Sequence, residues 1–394
     1  MEGEFTFQVL TNLDQISALR PIWESWQWHP NTEYNAFLHY LRFHQENACP
    51  YVIVVHFRGE PLALVVGRIE SIQLRLCGMF RVGVRTLTIF TGGILGKVPE
   101  EAVCGLIATL KETIQRGIAE RVTFHNVRKD IGLVQQILAN SKGSLLASPI
   151  EWNQHWRLTI PKTSEELLAS LSPSHRHFLR RMQRRLLKEF SKRVLFRCVR
   201  NAEEVEVISQ HMEQVARKTY HRGMGAGYRD SEELRQRLRL AASSGKWRAF
   251  LAYIDESPEA FYVGSVIGDS YYGWYTAYNP GLKNYDLGQL LLVYAIGILA
   301  TEGVRYFDFD LGDALYKRRL CDENWQDGSV SLYPFSPKGF LLNLGQFTAY
   351  RAKCLGKFLL QRAGIFGVVK RLWRQGLEKK AAQSVTSNHV WKQF

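Results

Sequence analysis

The segment FDFDLGDALYKRRL, residues 307–320, gathers Asp308, Asp310, Asp313, Tyr316 and Lys317 into one short stretch. These side chains are suited to moving protons and holding anions. Residues two apart share a face of an extended strand, so Asp308 and Asp310 are expected on one side, with Phe307 and Phe309 on the other. Two close carboxylates repel, which raises the proton affinity of one and makes a usable base. Asp310 or Asp313, nearer the strand exit, is the base candidate. Tyr316, beyond the Gly312 turn, is a candidate proton donor to a leaving group, and Lys317 can orient an anionic substrate. In the competing reading the aspartates bind basic side chains or cap the next helix, and Tyr316 packs.

Just upstream, YYGWYTAYNPGLKNYDLGQLLLVYAIGILATEG reads as a strand, a loop and a helix starting at Asp286 or Leu287. A helix start exposes unpaired N–H groups and favours phosphate. Tyr278, Asn279, Gly281, Lys283, Gly288 and Gln289 are therefore the candidate residues for holding an anionic donor. An ordinary strand–helix turn would use the same glycines and asparagine. In SPSHRHFLRRMQRRLLKE, Arg176, Arg180 and Arg184 recur every four residues and share a helical face, making them candidate substrate-binding residues. A solvated face, a small-molecule phosphate site, membrane phosphate and nucleic acid are the four occupants weighed for it.

The elements that must position these groups follow from periodicity. YVIVVHFRG and PLALVVGRIE read as two strands joined at Gly59–Glu60. TGGILG is expected to be a turn or loop, and 101–117 a helix. Thr163 or Ser164 caps a short helix, and a basic helix follows Ser172–Pro173. The apolar run 290–300 lies between two strands, the order of a βαβ crossover. The tryptophans of PIWESWQWHP either line a cleft or pack round a short helix. Comparable element order in the two halves suggests an α/β duplication.

The 394 residues carry a formal charge of +14, concentrated in two stretches. Residues 176–200 hold ten Lys or Arg against one acid, and residues 338–394 hold eleven against one, so the remainder is net negative. The tail alternates apolar clusters with bases. It reads either as helices packed on the second domain or as a surface-lying helix on an acidic membrane, with its glycines arguing against one continuous helix. Six scattered cysteines form no CxxC pair and have no zinc-finger histidines, which fits reduced thiols and a cytoplasmic location. No GxxxxGK[ST], HExxH or GxSxG motif occurs, so nucleoside-triphosphate, zinc-protease and serine-hydrolase chemistry are disfavoured.

Over roughly 156–335 the order of these three motifs resembles the GCN5-related N-acetyltransferase superfamily, especially its Fem-like tandem-domain branch and CelD- or BioF2-like acetyltransferases. The resemblance implies two tandem acyl-CoA N-acyltransferase-like mixed-sheet α/β domains and a basic helical tail. The expected bounds are 1–155 for a degenerate domain, 156–339 for the acyltransferase domain and 340–394 for the tail. It also implies transfer of an acetyl or other acyl group from acyl-CoA to an amine of a small molecule, amino sugar or envelope or polysaccharide precursor, without a metal. Aminoacyl-tRNA as donor, or noncatalytic binding of anionic lipid or protein, are the alternatives. A Tyr–Lys pair after a strand-exit acidic segment, here Tyr316 and Lys317, is similar to a site signature of that branch, whereas the usual Q/RxxGxG/A donor loop is not cleanly present. The expected location is cytoplasmic, either free or peripheral at the inner membrane face.

Overall fold

The computed structural model describes residues 4–76, 80–223, 226–364, 367–369, 372–373 and 376–377. Cys77 and the loose end expected at 381–394 lie outside them. The described strands are β1 (Phe5–Leu10), β2 (Ala48–Phe57), β3 (Glu60–Leu76), β4 (Phe80–Gly96), β5 (Arg121–Arg128), β6 (Leu145–Ala147), β7 (Trp152–Thr159), β8 (Val194–Val199), β9 (Trp247–Ile254), β10 (Ser257–Ile267), β11 (Ser270–Tyr278), β12 (Tyr306–Leu311) and β13 (Glu323–Pro334). With the helices between them they make a mixed α/β fold of two compact units. One comprises 1–155 with 325–360, the other 156–324 with 361–394.

In the first unit the order is β1-β2-β3-β4-β5-β13, with β6 also on β13. Tyr51 to Val55 are all buried, as expected of a strand covered on both faces. The β2–β3 hairpin turns at Arg58 and Gly59, both at positive φ. β4 and β5 pair in parallel, and the helix Glu100–Gln115 crosses between them. Its Val103, Leu106, Ile107 and Leu110 pack on Val122 and Phe124. TGGILG is not a loop: residues 91–96 complete β4, and a register shift of β3 against β4 absorbs Phe90 to Gly93. Trp23 is wholly buried, Trp26 is packed beside that core, and Trp28 is exposed, so the tryptophans mostly build a small core.

In the second unit the order is β12-β11-β10-β9-β8, with residues 156–159 of β7 beside β12. Alternation along β9 and β10 sends Phe250, Ala252, Ala260 and Tyr262 to one face, under the helices Pro173–Phe190 and Leu287–Thr301. Leu251, Phe261 and Val263 face the other way, under the helices Val205–Arg217 and Glu232–Ser243. Thr163 caps the short helix Ser164–Ser170 by accepting the Glu166 N–H. The apolar run is the buried crossover helix Leu287–Thr301, joining the parallel strands β11 and β12.

The tail departs from its expected segmentation. One helix runs from Pro337 to Arg362, through Gly345 and Gly356, and stops near Gly364 at φ +68°. Gly356 lies in open space, and a cost of about 1 kcal/mol per glycine does not break the helix. Among the described residues no helix is long and apolar enough to cross a membrane.

Candidate functional site

The second unit opens where β11 leaves β12. Their parallel register covers Ser270↔Tyr306, Tyr271↔Phe307 and Tyr272↔Asp308, and then ends although β11 runs on to Tyr278 and β12 to Leu311. The cause lies on the other side of β11. Val263 pairs with Tyr275 but Gly264 with Gly273, so Trp274 is an extra residue. Such a bulge bends its strand and leaves one residue out of the ladder. Gly264 permits it: a Cβ there would lie 2.0 Å from the Tyr272 carbonyl oxygen. Backbone groups of 273–278 are thereby released toward the gap, beside the first turn of the helix Leu287–Thr301.

At β12 the chain curls. Asp310 has φ +56°, the left-handed region that asparagine and aspartate tolerate best after glycine. An extended strand points successive carbonyls to opposite sides, whereas this twist makes three consecutive ones converge. The Lys317 ammonium donates to the carbonyls of Phe309 (2.7 Å), Asp310 (3.1 Å) and Leu311 (2.9 Å). Burial lowers its proton affinity, and the nearby Asp310 opposes that effect.

The first unit repeats the plan with a closed result. Its parallel pair ends at Ile89↔Phe124, Gly67 of β3 pairs with Ile89, and Asn126, two residues past Phe124, sits at φ +47°. Asp310 likewise lies two residues past its last paired neighbour. In the first unit, though, Asn126 Nδ2 donates to Thr91 Oγ1 at 2.9 Å, and Thr32 Oγ1 donates to the Gly92 carbonyl. His29 lies so close over Gly92 that a Cβ would fall 2.3 Å from its own. Glu100 and Glu101 occupy the first turn of that crossover helix, where they disfavour a bound phosphate.

Comparison with known proteins agrees with this geometry. The acetyltransferase (GNAT) domain family matches residues 173–318, the span that contains the bulge, the crossover helix and the curl. Residues 173–318 form a GNAT domain. FemX shares the fold at TM-score 0.59 and 12% identity, over 85% of this chain and 100% of that one. A tandem GNAT protein from the clavulanic acid biosynthesis pathway aligns at 0.50 and 13%, over 85% and 99%. A protein of unknown function from Bacteroides thetaiotaomicron aligns at 0.52 and 7%, over 80% and 97%. No curated protein matches the chain.

Within the GNAT domain the expected residues separate into groups. Asp308 is buried and accepts the Asp310 N–H at 2.8 Å, while Asp310 is exposed, so the left-handed turn undoes the shared face expected of the two carboxylates. Phe307 and Phe309 do lie together in the core, stacked at 4.3 Å. Asp313 is exposed and held by the Arg318 guanidinium through two hydrogen bonds, which makes it a poor base. Lys317 spends its donors on the β12 carbonyls, so the expected contact with an anionic substrate gives way to a strand-end clamp.

Around the gap, Asn279 accepts the Gly281 N–H and donates to Glu259, closing the turn before the crossover helix. Lys283 is exposed, and the exposed Tyr278 ring lies over Gly288. Burial pushes the Tyr316 phenol up to about 12, with Cys321 and Tyr220 adding to the shift. Burial raises Tyr262 further, with Tyr316, Asp286 and Tyr278 also among its neighbours. On the basic helix, Arg180 and Arg184 are exposed, and Arg176 is half-buried and donates to the Leu171 carbonyl at 3.3 Å.

Two residues at this spot escaped the sequence reading as functional groups. Asp286, at φ +49°, precedes the crossover helix, and burial raises its proton affinity. Gln289 Nε2 donates to Asp286, and Gln289 Oε1 accepts from His175 Nε2 at 2.9 Å. An amide oxygen only accepts, so Nε2 carries the imidazole proton. His175 Nδ1 is buried without a hydrogen-bond partner. The aspartate before an apolar helix was visible in the sequence. Its link to a histidine 111 residues earlier was not.

Proposed function

We propose that the protein transfers an acetyl or other acyl group from acyl-coenzyme A to an amine on a small molecule, amino sugar or envelope or polysaccharide precursor. The observation that carries this reading is the bulge-driven parting of β11 from β12 beside a helix start. Freed amides of 273–278 suit the donor's thioester and the oxyanion of a tetrahedral intermediate. The turn at Asn279, Gly281 and Lys283, with Gly288 and Gln289 on the first helical turn, suits the donor's phosphates.

Asp286 becomes the preferred base. It is desolvated, lies near Tyr262, and is tied through Gln289 to His175. A raised carboxyl affinity brings a base closer to the amine it must deprotonate. Tyr316, still protonated at neutral pH, is suited to protonating the leaving thiolate. Arg176, Arg180 and Arg184 offer positive charge to an anionic part of donor or acceptor.

Calorimetric titration with acetyl-coenzyme A, coenzyme A and an aminoacyl-tRNA tests the donor. Saturable binding of both coenzyme species is expected; capture of the charged tRNA alone would replace the donor, and binding of none would end the enzyme reading. For the base, Asp286→Asn is expected to cut turnover by about 100-fold or more with donor affinity kept. Because burial raises the folded-state affinity of Asp286, its ionisation costs stability above the ordinary carboxylate pKa, and lower pH relieves that cost. Asp286→Asn should therefore melt no lower than the parent at neutral pH. Unchanged turnover would remove Asp286 from the chemistry.

A further inference from the structure

The helix Pro337–Arg362 carries two apolar faces, and only one is used. At its start, Leu342 packs with Leu74, Val84 and Tyr333. Gly339 approaches the Pro334 carbonyl so closely that a Cβ would lie 2.2 Å away. Lys338 pairs with Glu120, and Lys353 with Glu151 at 2.6 Å, which holds the same side down. On the opposite side Phe340, Leu341, Leu344, Phe347, Leu355 and Phe358 are each at least 42% exposed. At 3.6 residues per turn these positions fall within an arc of about 120°.

We propose that this face docks the protein on an anionic lipid surface. Charge selects that occupant. From 337 to 377 the sequence has eight Lys or Arg and no Asp or Glu. Arg351 emerges within the apolar arc, its guanidinium 5.3 Å from the Phe347 ring centroid. A long basic side chain there can bury its stem beside Phe347 and set its head among phosphates. A second copy of this face would set base against base across a dry contact. The apolar character continues past the helix, where Val368, Val369, Leu372 and Trp373 are exposed. Large aromatic and aliphatic groups interleaved with bases, with no acid, are what an interface-lying helix requires.

Full-length protein is mixed with vesicles of phosphatidylcholine alone or of phosphatidylcholine with phosphatidylglycerol, and sedimented. Binding to the anionic vesicles, weakened by added salt, is expected, with phosphatidylcholine retained at least about tenfold less well. Leu355→Glu with Phe358→Glu is expected to abolish binding, and Arg351→Glu to weaken it about tenfold or more. All these side chains are exposed, so unchanged melting and unchanged coenzyme A affinity are expected and separate this surface from the donor site. Equal binding to both vesicle types, binding that survives the double substitution, or no binding at all overturns the proposal. So does a concentration-dependent dimer in sedimentation equilibrium that the double variant loses, which would assign the face to a second copy.

Discussion

A lysine ammonium has three donors and no acceptor, and Lys317 commits all three to consecutive carbonyls at the end of β12. Those carbonyls have no ladder partner on β11 beyond Asp308, so without the ammonium the buried Phe309 carbonyl and the part-buried Asp310 and Leu311 carbonyls would lose this donor. Lys317→Met keeps the apolar stem and removes every donor. It is expected to lower unfolding stability by about 2–4 kcal/mol in urea titration. Lys317→Arg should not restore it, because a planar fork cannot meet three converging oxygens. A Met variant as stable as the parent would mean the carbonyls are satisfied otherwise. The same logic separates Asp313, paired with Arg318 in solvent, from Asp286, desolvated beside His175 and Gln289. Both are loop aspartates in the sequence; their surroundings differ.

At the scale of elements, the site depends on a bulge in β11 and a left-handed residue in β12. Asp310 tests the second. Asparagine tolerates that φ nearly as well as aspartate, whereas a β-branched residue does not. Asp310→Asn is expected to keep both melting temperature and turnover within about twofold. Asp310→Val is expected to cost about 1–3 kcal/mol and to lower coenzyme A affinity as the strand end straightens. A large turnover loss in Asp310→Asn with intact stability would instead make Asp310 the base. The closed counterpart in the first unit uses the same devices, Gly67 across the ladder and Asn126 at positive φ, but covers the gap with His29, Thr32 and Thr91.

For the whole molecule, two histidines set the acid limit. Burial lowers His125, helped by Arg121, and burial lowers His211, helped by Arg197. Both therefore bind protons less readily folded than unfolded. Stability is complete above the ordinary imidazole value of 6.5 and falls as pH drops through it toward the folded values, because the unfolded chain gains protons first. Melting temperature is expected to decline between about pH 7.5 and 5.5, and His125→Gln to shrink that decline. An unaltered slope in the variant would discount His125.

Periodicity alone made much of the fold legible. The crossover helix, the β2–β3 hairpin and the Thr163 cap rest on local patterns, and local rules govern them. TGGILG and the tail glycines misled because tertiary pairing and surface position overrode propensity. The motif from 271 to 320 marked where the chemistry would gather, and its order carried the family resemblance. Which aspartates stay solvated, which lysine becomes a clamp, and which histidine joins the helix start were decided only in three dimensions. Burial and hydrogen-bond partners set proton affinity, and both come from segments far apart in the chain.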